Sequence, residues 1–292
     1  MKRVLFIITV MLISIATSAQ QITKSFIAND FSGITASNIF DIELTKSGVE
    51  SVVVIADKEV MQYVEAKVVM GQLNLNLNTY SMPRSLKKDL KSIKVKINMK
   101  HELSWLSLSG ASTLVSSSSF KPETFKGQVS GASSVSGLDL VCESAKISLS
   151  GASNISMKGK INVADYEFSG ACTAVINQDV TNMSVECSGA SKMDLTGRIS
   201  KMEAEISGAA SVKLRGTGDY MEAEVTGASK LNAIEFIVND AEIDVSGVSK
   251  AIVNVQKSLD AEVSGGSSLE YKGSPTINKA SVNSISNIRK IN

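Results

Sequence analysis

One histidine, one tryptophan and three cysteines are all that 292 residues contain of those types, and each scarcity removes a class of chemistry. His101 is the sole histidine, so zinc sites built on paired histidines are excluded and a Ser/His triad has a single candidate base. There is no Gly-x-Ser-x-Gly elbow, no Walker loop and no Asp-x-Asp-x-Asp-Gly calcium loop. His101 therefore reads as a residue near the start of a repeat array and not as a catalytic group. One tryptophan and five tyrosines leave little with which to stack sugars. Excess charge is missing too: 30 basic residues stand against 29 acidic ones, which gives nucleic acid no bulk electrostatic attraction.

Long apolar runs are absent beyond the first residues. Lys2 and Arg3, the run Val4 to Ile15, and the small residues Thr17, Ser18 and Ala19 read as a secretory signal peptide over residues 1–19, cleaved after Ala19. The run is shorter than the roughly 18 apolar residues of a membrane span and is broken by Thr9 and Ser14. No cysteine near the cleavage point invites lipid attachment. The expected product is exported, periplasmic or on the cell surface, and not membrane-spanning once the signal is removed. Cys142, Cys172 and Cys187 are an odd number for an exported chain. Two fall in apolar columns and one replaces a motif serine, so all three read as small buried fillers.

What is abundant is one motif. Ser-Gly-Ala-Ser or a close variant begins at Ser109, Ser130, Ser150, Ser169, Ser188, Ser207, Thr226, Ser246 and Ser264, at spacings of 18 to 21 residues. A degenerate copy begins at Asn283. A period this regular marks a stacked array. Before the motif serine stand Leu108, Val129, Leu149, Phe168, Cys187, Ile206, Val225, Val245 and Val263. Five after it stand Leu114, Val135, Ile155, Ala174, Met193, Val212, Leu231, Ala251 and Leu269. Apolar positions alternate with polar ones around them, which is strand periodicity, and no repeat leaves room for a helix of ten residues.

The fold class that follows is all-β, a single-stranded parallel β-helix (β-solenoid) with about 19 residues per coil, right-handed by the general preference of parallel crossovers. Residues 105–292 supply the regular coils. Residues 20–104 alternate less strictly and are expected to give irregular first coils and a cap, with a helical turn near Asp57 to Tyr63 and an exposed loop from Ser81 to Lys91.

One charged constellation is columnar. Two and four residues before the motif serine stand Asp165, Glu167, Glu186, Glu203, Glu205, Glu222, Glu224, Glu242, Asp244, Asp260 and Glu262. Eleven carboxylates would share one face, about 4.8 Å apart between coils. Lys192, Lys213, Lys230 and Lys250, outward after the motif, are candidates to compensate them. The ladder reads either as a solubilising surface or as a site for Ca2+ or a basic partner.

These residues resemble a known family. The repeated Ser-Gly-Ala-Ser, the preceding Phe31-Ser-Gly-Ile-Thr-Ala-Ser and Phe40-Asp-Ile-Glu-Leu, and the closing Arg289-Lys290-Ile291-Asn292 look like DUF2807, described as a putative autotransporter adhesin head or GIN domain of exported Bacteroidetes proteins. The resemblance implies a non-catalytic envelope or surface protein that presents a rigid rod to an extracellular protein or glycan. Two alternatives stand beside it. A polysaccharide lyase or glycosidase could use paired carboxylates on a β-helix, and an ice- or crystal-binding face could use the serine ladders. No catalytic, metal or cofactor residue is assigned.

Overall fold

In the computed structural model residues 21–283 and 285–292 are described; the expected signal peptide lies outside them. The N-terminal part contains β1 (Gln21–Phe26), β2 (Gly33–Ala36), β3 (Phe40–Lys46), β4 (Ser51–Asp57), α1 (Lys58–Met61), β5 (Val64–Val69), β6 (Gln72–Leu77), α2 (Arg84–Lys88) and β7 (Ile93–Met99). Its stacking order is not its chain order. β2 and β3 form one coil, and β6 and β7 pair with them in parallel on the N-terminal side. Beyond these, β5 runs antiparallel to β6, β4 to β7, and β1 to β4. The helical turn falls where expected. The stretch from Ser81 to Lys91 differs, because Arg84–Lys88 is helical and Met82 is buried.

On the other side of β2 and β3 lie β8 (Trp105–Leu108) and β9 (Thr113–Ser116), followed by β10 (Ser119–Phe120) and β11 (Thr124–Val129). From there each coil is a single long strand: β12 (Ser134–Leu149), β13 (Asn154–Phe168), β14 (Thr173–Cys187), β15 (Lys192–Ile206), β16 (Ser211–Val225), β17 (Lys230–Val245) and β18 (Lys250–Val263). Every one pairs in parallel with the next, motif on motif. The last coil is β19 (Ser268–Lys272) with β20 (Thr276–Val282) and β21 (Asn287–Lys290). The result is the β-solenoid that the repeat period demands.

Each coil from β8 onward bends at the motif glycine, which holds a positive φ. Gly208 has φ 73°, and a Cβ there would lie 2.8 Å from the Gly189 carbonyl oxygen of the coil below. A second bend sits at the Gly197 level, where a Cβ would meet the Gln178 oxygen at 1.8 Å. A third, without glycine, shows as two successive outward residues, Ser200 and Lys201, and as a gap in pairing at Thr181, Ser200 and Asp219.

The motif's fourth residue points inward. Ser112, Ser133, Ser153, Ser191, Ser249 and Ser267 are buried and act on the corner backbone. Ser153 Oγ donates to the Ser150 carbonyl at 2.6 Å, and Cys172 Sγ does the same to Ser169 at 2.9 Å. The fourth-residue hydroxyl column is thus turned into the corner, whereas the first serine of the motif faces solvent, with Ser150, Ser169 and Ser264 exposed. Above and below it the apolar columns fill the interior; Ile206, Val225 and Val245 are at most 1% exposed.

Candidate functional site

Because side chains alternate along a strand, every second residue before the motif faces out, and parallel register turns those residues into columns. The outer column reads Lys146, Asp165, Ser184, Glu203, Glu222, Glu242, Asp260, Lys279. The inner one, beside the motif corner, reads Ser148, Glu167, Glu186, Glu205, Glu224, Asp244, Glu262, Ser281. All eleven carboxylates singled out from the sequence therefore share one face, interrupted only by Ser184.

Both ends of the ladder carry a lysine that the sequence reading had not assigned. Lys146 Nζ lies 2.8 Å from Asp165 Oδ2 and 2.6 Å from Glu167 Oε1, so one ammonium straddles both columns of one coil. These hydrogen bonds push the Lys146 pKa up. At the other end Lys279 pairs with Glu262, which raises its pKa too. Between the two lysines the carboxylates face one another. Asp244 shows the consequence: desolvation, followed by the charges of Glu262, Glu242 and Glu224, pushes its pKa above the ordinary value. The fixed position four residues before a motif copy is the sequence signal for both lysines, since Lys146 precedes Ser150 and Lys279 precedes Asn283 by that distance.

Lys192, Lys213, Lys230 and Lys250 do not compensate the ladder. They lie after the motif, on the opposite side of the corner, where Lys213 pairs with Glu235 at 3.1 Å and Lys250 with Glu270 at 3.0 Å. The Lys250 hydrogen bond, with Arg289 behind it, holds the Glu270 pKa down despite some desolvation. The Ca2+ expectation also fails to find a built shell. Among the described residues no three His, Cys, Asp or Glu side chains are placed to hold an ion. Side chains on adjacent parallel strands project side by side and do not converge to the 2.3–2.6 Å that calcium needs.

His101 lies outside this face, half-exposed, with Nε2 3.2 Å from Asp30 Oδ1 and 3.8 Å from Glu50 Oε1. Cys172 and Cys187 are buried, Cys142 is half-buried, and all three are free. Burial pushes the Cys187 thiol up to about 12 and Cys142 to about 11, far from a reactive thiolate. Paired carboxylates recur in coil after coil, and an open concavity on this face is lined by Asp165, Ser184, Lys201 and Glu203. Trp105, the sole tryptophan, stands in the same outer column further toward the N-terminus; its indole is covered by Lys126 at 5.4 Å and donates to Thr35 Oγ1 at 3.3 Å.

A family model described as "Putative auto-transporter adhesin, head GIN domain" (DUF2807) matches residues 30–174 and 167–275. Three solved structures share the fold. A "putative adhesin" from Parabacteroides merdae ATCC 43184 is 16% identical over 94% of this chain and 98% of that one, with a TM-score of 0.54. Another from Parabacteroides distasonis ATCC 8503 is 17% identical over the same shares, at 0.55. A "putative lipid binding protein" from the latter organism is 18% identical, again over 94% and 98%, at 0.53. No curated protein matches the chain.

Proposed function

Since the chain belongs to the DUF2807 family, we propose that it is a non-catalytic protein of the cell envelope or surface whose rigid solenoid presents the carboxylate face to a cationic partner. The observation that carries this reading is the seat of Lys146. Its ammonium, laid across Asp165 and Glu167, is a template for how a lysine side chain of another molecule would sit on the coils beyond it. There, among the described residues, no ammonium is paired with Glu205, Glu224 or Asp244 at salt-bridge distance. The partner favoured by this geometry is a lysine-bearing protein segment in place of a bare Ca2+ ion, because a side-by-side ladder offers many single contacts and no closed shell.

The signal-like residues 1–19 and the adhesin description of the family support export. Antibody labelling of intact and opened cells tests it, because a protein detected only in the cytosolic fraction would overturn the reading. The binding half is tested by retention of intact expressing cells on an oligolysine-coated surface. Cells carrying Glu205→Gln, Glu224→Gln and Asp244→Asn together should be released, and equal retention would refute the assignment of this face.

A further inference from the structure

The connection from β6 to β7 is longer than the fold requires. β6 stacks on β2 and β7 on β3, so Asn78 to Ser92 stand where Ser37, Asn38 and Ile39 join β2 to β3 and where later coils have the motif. This connection carries α2, in which Arg84, Lys87 and Lys88 stand at i, i+3 and i+4 on one helix face, all exposed. Lys91 is exposed just beyond them, and Asp89 is the only acid of the segment. Among the described residues none of these four cations forms a salt bridge. Buried Met82 and half-buried Leu86 and Leu90 fix the segment to the core. Tyr80, in the same connection, is 97% exposed, and exposed Tyr and Arg are side chains that interfaces favour.

We infer that this basic segment docks on the carboxylate ladder of a second copy of the chain, in a two-fold antiparallel dimer. The inference rests on the reading that the ladder takes lysine ammonium groups, and charge complementarity selects the occupant. Cβ atoms of Arg84 and Lys88 at i and i+4 are about 5–6 Å apart, close to the spacing of about 4.8 Å between rungs of the ladder. The segment's own ladder is out of reach. In stacking order β6 is followed by β2, β8, β11, β12, β13, β14, β15 and β16, which puts Glu205 and Glu224 roughly 35–40 Å away. The segment projects from the motif corner, and the inner carboxylate column runs beside that same corner, so both patches lie along one edge of the rod. A two-fold axis midway between them sets each segment against the partner's ladder and closes the contact on itself. The inner column near that axis holds Gln128 and Ser148, so no like charges meet in it.

Sedimentation of the full chain at low salt tests the inference, and a monomer–dimer equilibrium that shifts to monomer in high salt is expected. Lys87→Glu with Lys88→Glu should weaken dimerisation at least about tenfold, and so should Glu205→Lys with Glu224→Lys. Mixing the two variants should restore the dimer. One copy then carries acid at both patches and the other carries base at both, so each contact again joins opposite charges. All four positions are exposed, so unchanged far-ultraviolet circular dichroism separates lost association from lost folding. A mixture that stays monomeric would overturn the inference, as would open-ended polymers. A wild-type chain that is monomeric at about 0.1 mM yet binds decalysine would overturn it while leaving the cationic reading of the ladder in place. Loss of both would remove that reading as well. Binding of a monomeric chain to phosphatidylglycerol vesicles, abolished by Lys87→Glu with Lys88→Glu, would assign the segment to an anionic lipid surface and equally overturn the dimer.

Discussion

Neutralising the middle of the inner carboxylate column should stabilise the protein. Glu167, Glu186, Glu205, Glu224, Asp244 and Glu262 are successive partners across five strand pairs, and replacing Glu205, Glu224 and Asp244 by Gln, Gln and Asn removes the repulsion in four of them. At about 4.8 Å and the dielectric of water, each adjacent pair repels by about 0.9 kcal/mol. Screening at about 0.15 M salt roughly halves that. Side-chain splay lowers it further, so the expected gain is about 1–2 kcal/mol, or a Tm rise of about 2–4 °C. Thermal unfolding followed by circular dichroism at low and high sodium chloride reads both the gain and its cause. The wild type should gain more from salt than the triple variant. A variant equal to or below the wild type in Tm at low salt would show that these carboxylates are not held side by side.

Other outcomes follow from single positions. Ile206→Ala should cost about 2–5 kcal/mol because Ile206 is 1% exposed, while the outward Glu205→Ala costs under about 0.5, and equal Tm shifts would invert the facing assigned here. Gly208→Ala should lower Tm strongly, since φ is 73° and the new Cβ meets the Gly189 oxygen at 2.8 Å, whereas Gly48→Ala meets nothing within 4 Å and should be near neutral. Asp244 has a raised folded pKa, so its ionisation disfavours the folded state; Asp244→Asn should raise Tm at pH 7, with the gain fading as pH falls through the raised folded pKa and absent below the ordinary value of 3.8. Glu270 has the opposite sign: Glu270→Gln should lower Tm at pH 7, a difference lost as pH drops through its depressed folded pKa. Calcium should stabilise no more than magnesium at equal ionic strength, because no ion shell is preformed among the described residues.

The legible part of the fold was the part that repeats. From Ser109 onward, column positions alone assigned Ile206 inward and Glu205 outward, because a parallel stack forces every coil to repeat the same alternation. The first motif corner escaped notice because its chemistry is degenerate. Asn38, at φ 86°, takes the place of the corner glycine, with Ile39 and Phe40 following it where alanine and serine stand elsewhere. Asparagine tolerates that conformation, so the backbone kept the bend after the motif had lost its spelling. Nor could periodicity show that β6 and β7 stack beneath the earlier β2 and β3, since pairing partners far apart in sequence leave no local mark. The eleven carboxylates were readable for the same reason as the core. Their compensation is not readable from outward facing alone: Lys192, Lys213, Lys230 and Lys250 face outward, but a corner separates their face from the ladder, and the cations that meet it, Lys146 and Lys279, sit in the ladder's own columns.

The claim on which the account rests is that this carboxylate face binds ammonium groups as a unit, and calorimetric titration of the purified chain with decalysine measures it most directly. The account predicts saturable, salt-sensitive binding that is lost in the Glu205→Gln, Glu224→Gln, Asp244→Asn variant and kept when Glu235 and Glu270, on the opposite side of the corner, are replaced by Gln. Binding that survives the triple substitution, or that disappears equally in both variants, would contradict it.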